Sequence, residues 1–129
     1  MNPVSLAHLT LYTAEDGRAR FRHDAMLLDH GSASVRLSAL FSSGGVQFRE
    51  SPPGYESPFH CTEHPQWLVV LRGCIEIILQ DGSSRRFAAG SFLFCADVLP
   101  AGEEFDPQRH GHRSRQVGEE PLQTLFARG

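Results

Sequence analysis

Lysine is missing from this 129-residue chain, and all twelve of its basic residues are arginine. Without a lysine amine, Schiff-base chemistry and covalent attachment of pyridoxal phosphate are excluded. Cysteine is scarce. Cys61, Cys74 and Cys95 form no C-x-x-C pair, and an odd count without a short-range framework points to reduced thiols in a cytoplasm. No apolar run approaches membrane-spanning length. The opening segment MNPVSLAHLTLYTAEDG has no basic stretch ahead of an apolar one, so no secretory signal is expected. A net charge of −3 gives no broad footprint for nucleic acid. There is no internal repeat and no linker, so residues 1–129 are read as one domain, large enough for a core.

Helical periodicity is also missing. Apolar residues recur at strand spacing between Gly, Pro and Asp. The spacing predicts strands at Leu6–Tyr12, Ala19–Leu27, Ser34–Phe41, Val46–Glu50, Trp67–Leu71, Cys74–Gln80, Arg85–Phe87, Ser91–Cys95, His112–Val117 and Leu122–Ala127. Asp81-Gly82, between CIEIILQ and SSRRF, is the clearest hairpin turn. Many short strands with regular turn signals imply an all-β sandwich or barrel. Ser51-Pro52-Pro53-Gly54-Tyr55 cannot be a central strand, because proline donates no ladder hydrogen bond. Pro100 through Gly111 is a long polar loop, of the kind that often carries function.

Four of the seven histidines fall in two pairs, His60 with His64 and His110 with His112. On a strand, alternate side chains share a face. That rule groups His60 with Thr62, and His110 with His112, Ser114 and Gln116. It sends Cys61 away from His60, which argues against a Cys–His nucleophile. Imidazole is the commonest ligand of Zn, Fe, Ni and Cu, and two pairs brought together would supply a three-histidine site. Spacing alone leaves an alternative open, that these histidines are solvated and idle. His8, His23 and His30 have no evident partners and are assigned surface or structural roles. Tyr12, Tyr55 and Trp67 are candidates for a pocket wall or for core. Arg72 is a candidate clamp for a substrate carboxylate, and Arg113 and Arg115 for pairing with Glu103, Glu104 and Asp106.

His60, Thr62, Gln66 and Gly73 keep the spacing H-x-H-x3-E-x6-G, with Thr and Gln in place of the second His and the Glu. This resembles the first motif of the cupin superfamily. The stretch VVLRGCIEIILQDGSSRRFAAGSFLF is similar to the cupin segment between its two motifs. The string from FRESPPGY to GHRSRQVGEEPLQTLF resembles small bacterial single-domain cupins of unassigned function. Pro100-Ala101-Gly102 matches P-x-G of the second motif, G-x5-P-x-G-x2-H-x3-N, but its His position holds Phe105. His112 then stands for that ligand, with Gln116 in place of Asn.

The resemblance implies an all-β double-stranded β-helix, or jelly-roll, cupin barrel, and a homodimer. An edge argument makes Leu6–Tyr12 the strand expected to meet the second subunit. The resemblance also implies His60, Gln66 and His112 around one pocket, with His64 or His110 nearby to complete a centre. Thr62, Ser114 and Gln116 would orient the imidazoles. Glutamine offers a neutral oxygen where a carboxylate offered charge. The expected site is therefore a degenerate mononuclear one for Fe, Mn, Ni or Zn. One functional expectation is a metal-dependent enzyme acting on a small polar organic molecule by dioxygenation, isomerisation or decarboxylation. The other is a non-catalytic ligand-binding cupin. A metal-free sugar epimerase would need a His–Asp pair and a basic nucleotide-binding surface, and neither is evident in the sequence. No nucleic-acid or membrane partner is expected.

Overall fold

The computed structural model describes residues 4–129. Residues 1–3, which begin the segment read above for a signal, lie outside the described residues. The strands are β1 (Ser5–Thr13), β2 (Ala19–Leu27), β3 (His30–Gly31), β4 (Arg36–Leu37), β5 (Val46–Ser51), β6 (Gln66–Arg72), β7 (Cys74–Ile78), β8 (Ser84–Ala88), β9 (Phe92–Ala96), β10 (Arg113–Val117) and β11 (Leu122–Arg128). No helix occurs among the described residues, so none is long and apolar enough to cross a membrane.

Six strands form one sheet in the order β2-β1-β9-β6-β11-β5. Three form a second, β10-β7-β8, and β3 pairs only with β4. All pairs are antiparallel except β1 with β9. The segment before β6 widens the small sheet. Glu56 and His60 form antiparallel bridges to Arg115 and His112, and the Ser57 amide donates to the Ser114 carbonyl at 2.8 Å.

Three expectations need correction. The strands lie in separate hydrogen-bonded sheets, so the all-β part of the expectation stands and a closed barrel is not seen. Ser34–Phe41 shrinks to Arg36–Leu37, because only the two-residue β3 is there to pair with it. β1 is not an edge, since β2 and β9 occupy its two sides. The edges of the large sheet are β2 and β5.

The core follows from alternation. Leu68 and Val70 of β6, Leu93 and Cys95 of β9, and Leu11 of β1 are buried with Ile75 and Ile77 of β7 and Phe87 of β8. Burial of each large aliphatic or aromatic side chain contributes roughly 1.5–3 kcal/mol. Gly73 carries the chain from β6 to β7 with φ 81°. A Cβ there would meet the Pro121 carbonyl oxygen at 2.6 Å, so a side chain is excluded by both conformation and space. At the Asp81-Gly82 turn the Leu79 amide donates to the Ser83 carbonyl at 2.9 Å, closing the β7–β8 hairpin.

Candidate functional site

A cavity of about 390 Å3 opens between the sheets. Its floor is apolar, with Leu68, Ile75, Ile77, Leu122 and Phe126. His60, Thr62, His64, Gln66, His112 and Ser114 line it, together with Tyr55, Arg49 and Arg128. Four of the five residues expected to hold a metal thus share one cavity.

His60 and His112 are brought together by backbone. The His60 amide donates to the His112 carbonyl at 2.9 Å, and the His112 amide donates back to the His60 carbonyl at 3.0 Å. Gly111 makes the approach possible. Its φ is 83°, and a Cβ there would lie 2.5 Å from the His60 carbonyl oxygen. The two imidazole centroids are 4.8 Å apart.

Each ring is held at Nδ1. His112 Nδ1 lies 2.8 Å from Asp97 Oδ2. A carboxylate only accepts, so the ring donates there and a neutral ring keeps its lone pair on Nε2. Asp97 is 0 % exposed. Its other oxygen accepts from the Thr13 hydroxyl at 2.7 Å, and its carbonyl accepts from the Thr62 amide at 2.8 Å. His60 Nδ1 donates to the Pro58 carbonyl at 2.9 Å, with Ser57 Oγ 3.4 Å away. Burial is the main cause that holds the His60 pKa below 6.5. The Pro58 bond opposes that lowering, and His112 and Arg49 add to it. Solvent reaches His60 at the cavity mouth and screens these effects.

His110 is elsewhere. Gly111 breaks the alternation that would have placed it beside His112, and it is 2 % exposed. Its Nδ1 accepts from the Asp106 amide at 3.0 Å, and its Nε2 donates to Glu103 at 2.7 Å. Gln80 donates to the His110 carbonyl at 3.0 Å and the Pro107 carbonyl at 2.8 Å. His110 is thus a clip that folds the 100–111 loop, with no nitrogen left for a ligand.

Other expectations shift as well. Gln116 orients no imidazole. It accepts from the Gly54 amide at 2.9 Å and donates to the Gly118 and Glu120 carbonyls, each at 2.7 Å. Cys61 lines the cavity beside His60, because the chain there forms a single bridge and not a strand. It still makes a poor nucleophile, since burial and the Asp97 charge push its thiol pKa up to about 11. Arg115 pairs with Glu76 at 2.6 Å and Arg72 with Glu120 at 3.3 Å. Trp67 faces away from the cavity, against His8, Phe41, Phe92 and Phe94.

The His, Cys, Asp and Glu side chains of the described residues supply no three-donor group for a transition metal. Such a centre takes at least three firm protein donors. His60 and His112 offer two donors, His64 makes no third with them, and the nearest carboxylate, Asp97, is already bonded to His112.

No family model and no curated protein matches the chain. Among solved structures it is similar to a cupin domain from Schizosaccharomyces pombe, 15 % identical, covering 100 % of this chain and 89 % of that one with a TM-score of 0.45. The chain is also similar to a putative ethanolamine utilization protein Q from Salmonella typhimurium, 14 % identical, covering 99 % and 95 %, TM-score 0.41. A third similar structure, a conserved protein of unknown function from Streptococcus pyogenes, is 20 % identical over 70 % and 68 %, TM-score 0.44.

Proposed function

We propose that this cupin-like domain binds a small polar organic molecule between its sheets without a resident metal. The observation that carries the reading is the His60–His112 pair, 4.8 Å apart in one cavity, with each Nδ1 bonded so that the rings are held in place. A cavity of a few hundred Å3 with an apolar floor and a few convergent polar groups has the character of a small-molecule site. Two measurements test it: metal analysis of tag-free protein, and amide chemical-shift mapping with a fragment library. Substoichiometric metal is expected, with fragment shifts centred on His60, Gln66 and His112. Stoichiometric metal lost from both His60→Ala and His112→Ala, or fragments that bind only elsewhere, would overturn it.

A second reading is metal-free proton transfer on the bound molecule, and one observation favours it. His112 backed by buried Asp97 has the arrangement of an imidazole positioned as acid or base. We also propose a homodimer, with a second copy across the outer face of the six-stranded sheet.

A further inference from the structure

We infer that the molecule bound in the cavity is an organic carboxylate, gripped at the mouth by Arg49 and Arg128 with its apolar body on the floor; this rests on the reading of the cavity as a ligand site. Arg49 stands on β5 and Arg128 on the neighbouring β11. On β5, Arg49 and Ser51 face the cavity, and on β11 so do Leu122, Thr124, Phe126 and Arg128. Alternation puts both guanidiniums on the inner face. Both also line the adjoining groove with Gln66 and Phe126, so they stand where the two spaces meet.

What sets these two apart is that they line the cavity, while five other arginines are spent on charges of this chain. Arg20, Arg22, Arg72, Arg86 and Arg115 each pair with a carboxylate of this chain. Arg49 and Arg128 pair with none among the described residues. Arg49 lies over the Tyr55 ring, 5.1 Å from its centroid, which holds its side chain in place. The chain carries net charge −3, yet the cavity gathers two unmatched guanidiniums. One carboxylate, the exposed Glu63, lines the same space. Asp97 lies behind His112, and His112 and Thr13 take both its oxygens. A planar guanidinium matches a carboxylate in shape and charge. Leu68, Ile77 and Phe126 would take an apolar body, and the imidazole pair its far end.

The test compares isosteric probes on the full chain, benzoate against benzamide, with cyclohexanecarboxylate against its amide as a second pair. Binding is followed by calorimetry and by amide shifts in wild type, Arg49→Gln, Arg128→Gln and a cavity-filling Leu68→Phe. Circular dichroism confirms that each variant is folded. Each carboxylate is expected to bind about tenfold tighter than its amide, the scale of one charge-assisted hydrogen bond. That preference should fall in both arginine variants, and all binding should weaken in Leu68→Phe. Equal binding of acid and amide, weakened by Leu68→Phe, overturns the carboxylate inference and leaves the cavity site standing. A preference that survives both arginine variants overturns it too. If no probe gives a signal sensitive to Leu68→Phe, the cavity reading falls and takes this inference with it.

Discussion

A carboxylate with no solvent access is costly unless both its oxygens are bonded, and at Asp97 both are, to His112 and to Thr13. Asp97→Asn keeps the shape but offers an amide where the ring needs an acceptor. Urea unfolding should show a loss of about 1–3 kcal/mol, the scale of one buried polar group left unpaired, and the His112 ring signals should move to the other tautomer. A change under about 0.5 kcal/mol with unmoved ring signals would mean that Asp97 does not position His112. In the sequence, nothing local ties Asp97 to a partner fifteen positions on. His60, Gln66 and His112 could be read from motif spacing. Arg49 and Arg128 could not, because which face of a strand turns inward depends on tertiary packing.

Strand register decides which charges meet. In the small sheet Arg115, Glu76 and Arg86 stand in one cross-strand row, and Glu76 accepts from Arg115 at 2.6 Å and from Arg86 at 3.2 Å. The acidic loop 103–106, nearer Arg115 in sequence, is folded on His110 instead, which is why local charge pattern misassigned this partner. The Arg115 bond, ahead of those from Arg86 and Ser84, holds the Glu76 carboxyl below 4.5. The folded value is below the unfolded one, so the contribution is present above about pH 4.5 and is lost as pH falls through the lowered value. Glu76→Gln should therefore flatten the acid limb of the stability–pH curve relative to wild type, with the curves converging at low pH. Parallel limbs would show that the row adds nothing. Most strand bounds were legible from period-2 alternation. Ser34–Phe41 was not, because its β propensity met no long partner strand.

On the scale of the whole molecule, the outer face of the large sheet is the surface left without an assigned role. Trp67 and Val69 of β6 and Phe92 and Phe94 of β9 alternate with core residues and so face outward. Trp67 packs on Phe94 with centroids 4.8 Å apart and on Phe92 at 5.9 Å. On edge strand β5 the patch continues into Val46 and Phe48, 57 % and 70 % exposed. These outward aromatics are half-buried within the single chain, and an apolar patch of this kind fits an interface. The outward positions of β6 and β9 carry no charge, so these two strands can meet their own copies across a two-fold axis without opposing like charges. The N-terminal strand named from the sequence is unavailable for edge pairing, being paired on both sides. Light scattering on tag-free protein at micromolar concentration should report twice 14.3 kDa. Phe48→Glu places a charge on the β5 side of the contact without touching the core, and should give a monomer with unchanged β-sheet circular dichroism. A monomeric wild type would end the homodimer proposal. A Phe48→Glu protein that stays dimeric would move the contact away from β5 and this face.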